Sequence, residues 1–253
     1  MAGPGGQGAA VALLIPALAT LADGSNVTVD TSYPFEDTVT VSCSPANAAF
    51  PLHIRVPSWA TRATLNGVPV PAGEFAAQSC VPSGKNTFVL ALAPEIVVEE
   101  WASDRHGGVA TETAFSVVRG PLLYSYPIEH NFTTYGRHFG SGDAASNDYY
   151  LQPTAQWNYG LAIDRQKPPS ASLHFARGEG YKEGAPPFNR TGPLSISVQA
   201  RLLPGWGLSK NSAAPPPRSP ACVGANSDCG GAVTLKLVPH GYTELRIGEW
   251  PLA

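Results

Sequence analysis

Glycine and proline recur so often along this chain that it has no room for long helices. Gly 26 and Pro 25 together make about a fifth of the 253 residues, and the longest run free of both is Glu95 to His106. Proline removes a backbone donor and glycine adds conformational freedom, so a helix interior tolerates neither. Between these breaks the apolar residues alternate. Val39, Val41 and Cys43 interleave with Thr38, Thr40 and Ser42; Leu52, Ile54 and Val56 with His53 and Arg55; and Leu194, Ile196, Val198 and Ala200 with Ser195, Ser197 and Gln199. Val233, Leu235 and Leu237 do the same with Thr234 and Lys236. A period of two over four to eight residues is a strand with one buried face. The expected class is all-β, built as two antiparallel, jelly-roll-like β-sandwiches.

The length suits two modest β domains, each with its own core. The expected layout is a disordered tail over 1–10, a first sandwich over 11–103, and a second over 108–253 that carries a mobile, apolar-poor loop at 211–231. Gly136 to Asn147 reads as a further polar loop. Asn66-Gly67 predicts a hairpin turn, because both residues accept the positive φ of a type I′ turn. The chain turns at 83–86 into Thr87–Leu92, whose Phe88, Leu90 and Leu92 face one way.

Charge excludes a nucleic-acid role: the net charge is −3 and charged residues are only 14%, so there is no basic footprint for phosphates. The apolar run AAVALLIPALATLA lacks a preceding Lys or Arg, contains Pro16 and is too short for a membrane span. It gives no convincing signal peptide or transmembrane segment, and a secretory context stays open. Of Cys43, Cys80, Cys222 and Cys229, none forms a C-x-x-C pair, which disfavours structural zinc. Cys222 and Cys229 enclose a loop long enough to close as a local disulfide in an oxidising compartment. Three sequons, Asn26-Val-Thr, Asn131-Phe-Thr and Asn189-Arg-Thr, permit glycosylation in such a compartment.

Candidate chemistry is sparse. Glu99-Glu100 is an adjacent acidic pair, but neighbours on a strand point to opposite faces and cannot converge on a glycosidic bond. Asp143, Asn147 and Asp148 could offer oxygens to calcium, without EF-hand spacing. His53, His106, His130, His138, His174 and His240 fall in no metalloprotease pattern, and no serine sits in a G-x-S-x-G elbow. Trp59, Trp101, Trp157, Trp206 and Trp250, with Tyr124, Tyr126, Tyr149, Tyr150 and Tyr159, could form a sugar-stacking platform. Aromatic rings in β-sandwiches more often pack in cores, and Trp157 and Trp206 read as fold anchors. Arg119 and Arg246 are charges inside apolar strands and need carboxylate or carbonyl partners. No catalytic, cofactor or metal residue emerges, and substrate-binding residues are unknown.

Three phrases carry a family resemblance: Pro57-Ser58-Trp59-Ala60 followed by Leu65-Asn66-Gly67; Arg119-Gly120-Pro121-Leu122-Leu123-Tyr124; and Pro239 to Pro251 as P-x-G-x-T-x-L-R-I-x-E-x-P. Thr31 to Asp37, Trp157-Asn158-Tyr159-Gly160-Leu161 and Ala200 to Trp206 add to it. In their order and spacing they resemble the C-terminal β-sandwich region of glycoside hydrolase family 127 (GH127), the β-L-arabinofuranosidase-like proteins. The likeness runs from about Val11 to the end, with the first sandwich as the family's middle domain. It implies a non-catalytic region that supports an (α/α)6 catalytic barrel, normally in the same chain, in the hydrolysis of arabinofuranosides. The barrel would hold the catalytic cysteine, zinc and acid/base, so no cofactor is expected in this chain and no activity from it alone. The first methionine then falls inside a longer reading, which suggests an excised domain or a truncated gene. His240 stands where these proteins often have an aromatic residue. The rivals are a free-standing carbohydrate-binding module, with carbohydrate as partner, and a structural or adhesive β-domain.

Overall fold

The computed structural model describes residues 8–84, 86–102, 113–139, 146–178, 192–223 and 228–253; of residues 102, 135–139 and 146–147 it describes the backbone. Strands dominate, and the helical turns among the described residues are two short 310 segments, Pro169–Ala171 and His240–Tyr242. The chain divides into two compact units, Met1–Glu95 and Ile96–Ala253.

The first unit contains β1 (Ala9–Val11), β2 (Ala17–Thr20), β3 (Asn26–Asp30), β4 (Thr38–Ser44), β5 (Phe50–Arg55), β6 (Thr64–Leu65), β7 (Val68–Pro69), β8 (Phe75–Cys80) and β9 (Thr87–Ala91). They form a six-stranded antiparallel sheet, β2-β3-β4-β9-β6-β7, and a three-stranded sheet, β1-β5-β8, in which β1 runs parallel to β5. The alternation legible in the sequence sets the inner faces. Val39 and Val41 of β4, Leu52 and Ile54 of β5, and Leu90 of β9 are completely buried in one core. A disulfide from Cys43 in the larger sheet to Cys80 in the smaller one ties the two sheets through that core.

Turn chemistry fixes the registers. Asn66 and Gly67 both have positive φ, 51° and 80°, as the type I′ hairpin needs, and Leu65 faces Val68 across it. Asn66 also joins the next strand: its amide N–H donates to the Val89 carbonyl at 2.8 Å, and its Oδ1 accepts from the Val89 N–H at 2.9 Å. The Pro57–Ala60 phrase closes a turn through the Ala60 N–H and the Pro57 carbonyl, burying Ala60 and laying Trp59 against the core.

The second unit contains β10 (Ile96–Ala102), β11 (Thr113–Arg119), β12 (Leu122–Pro127), β13 (His130–Phe139), β14 (Ser146–Pro153), β15 (Tyr159–Leu161), β16 (Leu173–Arg177), β17 (Leu194–Leu202), β18 (Leu208–Ser209), β19 (Ser212–Ala213), β20 (Ala232–Pro239) and β21 (Arg246–Ile247). The main sheet runs β10-β11-β12-β20-β17-β15, with β16 added to β17 and β21 to β12. β20 joins its two halves: residues 232–237 pair with β17, and Val238 and Pro239 pair with β12. Faces of the two halves meet where the Arg119 guanidinium of β11 lies over the Phe175 ring of β16, 3.8 Å from its centre. The β11–β12 hairpin turns on Gly120-Pro121, with Gly120 at φ 57° and Arg119 opposite Leu122. That geometry fits a type II′ turn, which takes glycine at its first central position.

The structure adds detail to four expectations. The boundary between units falls at Glu95/Ile96 rather than after Ser103, because residues 96–102 pair along their whole length with β11. Ala9 and Ala10, placed in the expected tail 1–10, pair with Leu52 and His53; residues 1–7 lie outside the described residues. Gly136 to Asn147 is not wholly loop, because β13 and β14 continue into it as a two-stranded ribbon. The described parts of 211–231 contain regular pairing. β18 and β19 form a hairpin over Lys210-Asn211, both at positive φ, and the Ala221 N–H donates to the Leu252 carbonyl at 2.7 Å. The disulfide Cys222–Cys229 closes this segment, with Cα atoms 5.8 Å apart.

Candidate functional site

The sequence offered carboxylates, histidines, aromatics and two arginines, and the fold disperses most of them. Glu99 and Glu100 lie opposite Ser116 and Phe115 on β10 and so project to opposite faces. Glu100 Oε2 is 3.0 Å from Arg165 Nη1, and both glutamates are exposed. Two carboxyls able to flank one sugar bond are not assembled from this pair. Asp148 is exposed on β14; Asp143 and the side chain of Asn147 lie outside the described residues. Among the described residues no group of three or more His, Cys, Asp or Glu could hold a metal ion.

Two of the described histidines make contacts within the fold. His53 is half-buried on β5 and His174 exposed on β16; His106 and the side chain of His138 lie outside the described residues. His130 is buried, with Nδ1 donating to the Ile128 carbonyl at 2.7 Å and Nε2 3.2 Å from Glu244 Oε2. His240 Nδ1 shares a 2.8 Å hydrogen bond with Ser125 Oγ, a pair the sequence reading missed. A serine-histidine contact suggests a nucleophile, yet Ser125 has no solvent exposure and a substrate could not reach its hydroxyl. Burial, reinforced by the nearby Arg246 charge, holds the His240 imidazole below its ordinary pKa.

The phrase around His240 becomes a compact knot. Thr243 Oγ1 donates to the His240 carbonyl at 2.7 Å, and the Arg246 guanidinium donates to the Thr243 carbonyl. Further on, Trp250 is fully buried and exchanges backbone hydrogen bonds with Phe115 at 2.8 and 2.9 Å. His240, Thr243 and Arg246 thus each satisfy a backbone or side-chain group at the end of the sheet, whereas the indole N–H of Trp250 is buried without a hydrogen-bond acceptor among the described residues. Arg246 finds the carbonyls expected for it, and Arg119 takes an aromatic face, which also suits a weakly hydrated guanidinium.

Tyr124, Trp206 and Trp250 are buried, and Trp157 meets Trp206 edge-on with centroids 5.3 Å apart. Trp206 Nε1 donates to the Ala214 carbonyl at 2.8 Å, so this pair anchors the fold as expected. Among the described residues, the large exposed rings of the second unit are Trp101, Phe132, Tyr149 and Tyr150. Phe132 and Tyr149 stand at 89° to one another, and the strand alternation puts Tyr150 on the other face of the ribbon. The coplanar row that a sugar-stacking platform needs is not formed by these rings.

Comparison with known proteins falls where the fold points. Residues 9–78 match the profile described as "Beta-L-arabinofuranosidase, GH127 middle domain". Over these residues the chain resembles a GH127 protein. Three solved structures share its fold. One, described as a glycoside hydrolase, has 19% sequence identity and a TM-score of 0.52, and aligns over 93% of this chain. A GH127 β-L-arabinofuranosidase from Geobacillus stearothermophilus T6 has 18% identity and a TM-score of 0.52 over 97% of the chain. A GH127 β-arabinofuranosidase has 13% identity and a TM-score of 0.54 over 96%. This chain spans 34% of the length of each. No curated protein sequence matches significantly. Among the described residues no helix is long and apolar enough to cross a membrane.

Proposed function

We propose that the chain is a non-catalytic β region that supports the catalytic domain of a GH127-like glycosidase acting on arabinofuranosides. The observation that carries this reading is the match of residues 9–78 to the GH127 middle domain. The fold likeness, extending over nearly the whole chain but only 34% of the matched structures, is in keeping with it. Leu13, Ile15 and Leu18 are 58%, 52% and 72% exposed within ten residues of the first described strand. Exposed apolar side chains this near in sequence are suited to cover by another part of a protein.

In this reading, zinc would be held by the proposed catalytic domain. All four cysteines are in disulfides, so none is available as a thiolate ligand, and the described residues gather no alternative donor set. What this chain contributes is shape and attachment. The purified chain tested against a chromogenic β-L-arabinofuranoside, with zinc and reductant, is expected to show no hydrolysis above background. Zinc-dependent turnover by the chain alone would overturn the proposal.

A further inference from the structure

Two features left unused by that reading point to a modification. The first is the state of the cysteines: Cys43–Cys80 crosses the core of the first unit, Cys222–Cys229 closes a segment of the second, and no cysteine is free. Structural disulfides form and persist in oxidising compartments. The second is the placement of the sequons. Asn131-Phe132-Thr133 lies on β13, which pairs only with β14 among the described residues. Asn131 sits opposite Gln152 and Thr133 opposite Tyr150, and all four are exposed. They share one face of the ribbon by strand alternation, while the buried His130 lies on the other. A bulky glycan on that face would displace no packed side chain.

Asn26 offers less. It lies inside the sheet between β2 and β4, paired with Thr20 and Ser44, and its Oδ1 already accepts a 2.8 Å bond from Thr20 Oγ1. Asn189 lies outside the described residues. We infer that Asn131 is an N-glycosylation site, used while the chain passes through an oxidising secretory compartment of a glycosylating cell. In the transfer, Asn131 Nδ2 forms a bond to the anomeric carbon of a lipid-linked pyrophosphoryl oligosaccharide. The bond from that carbon to the phosphate oxygen breaks, the pyrophosphoryl lipid leaves with the electron pair, and an Nδ2 proton goes to solvent. Tyr150, half exposed across from Thr133, would offer its ring to the first sugar's C–H face. The inference does not depend on the glycosidase reading.

The test is peptide mapping of the protein immunoprecipitated from its native source, with thiols blocked before lysis and half the sample treated with an amidase that releases N-glycans. Conversion of Asn131 to aspartate only in the treated half is expected. An unmodified Asn131 peptide, or alkylated thiols at all four cysteines, would overturn it. In protein secreted from cultured eukaryotic cells, Thr133→Ala should abolish one glycan's worth of mass and Thr133→Ser should retain it. A mass unchanged by Thr133→Ala would equally refute the assignment.

Discussion

Replacing Cys43 and Cys80 together by alanine should bring the first unit close to unfolding. The cross-link closes a loop with a sequence separation of 37. Chain-entropy arguments for a loop of that length give about 4 kcal/mol at room temperature. Both sulfurs are also in the core, with Cys80 fully buried and Cys43 8% exposed, so their loss leaves small voids worth roughly 1 kcal/mol each. A unit of this size is stable by about 4–13 kcal/mol, so the expected loss takes a large part of the total. The thermal midpoint should fall by about 20 °C or more. The Cys222→Ala/Cys229→Ala variant is the control: its loop has a separation of 7 and the same reasoning gives about 2.5 kcal/mol. Urea unfolding followed by far-UV circular dichroism, with hydrogen exchange of peptides from β4 and β5, separates the two. A loss below about 1.5 kcal/mol for the Cys43/Cys80 variant, or one no larger than the control's, would refute the reasoning.

Asn66→Ala should destabilise by about 2 kcal/mol, because it strains a φ of 51° and deletes the bond from the Val89 N–H; equilibrium unfolding checks this. His240 has a depressed pKa in the fold, so the unfolded chain binds its proton more readily, and stability should fall as pH drops through the ordinary value of 6.5. Ser125→Ala/His240→Phe should remove that slope while keeping the fold, read from thermal midpoints between pH 7.5 and 5.5. Asp23, held low mainly by the Ser25 backbone N–H, and Asp164, held low mainly by Lys167, act with the same sign at lower pH. Their contribution is present above the unfolded value of 3.8 and is lost as pH falls through the folded value. Leu18→Lys on the exposed strand β2 should change stability by less than about 0.5 kcal/mol while reducing self-association in sedimentation velocity.

Local rules made much of the fold legible. Alternation placed Val39, Val41, Leu52, Ile54 and the β17 residues on inner faces because a half-buried strand has no other way to read. Asn66-Gly67 announced its hairpin because few residue pairs accept two positive φ values. What stayed hidden depends on partners distant in sequence. Residues 96–102 read as a strand, but alternation does not say which sheet a strand joins, and pairing with β11 moved the boundary. Cys43 and Cys80 sit on strands whose facing is a property of the assembled sandwich. The β13–β14 ribbon was masked by polar composition, since most of its described side chains are exposed and need no apolar alternation. For the candidate site, that Glu99 and Glu100 project to opposite faces was readable from their adjacency on a strand. Ser125 and His240, 115 residues apart, carried no signal of their contact.

The measurement that tests the proposed role most directly is the mass of the native polypeptide. An antibody against this chain, with peptide mapping of the band it detects, should reveal a protein of about three times 26.5 kDa. Its additional peptides should come from a helical catalytic domain. A native product at 26.5 kDa, with no peptides beyond this sequence, would contradict a supporting role in a GH127-like glycosidase.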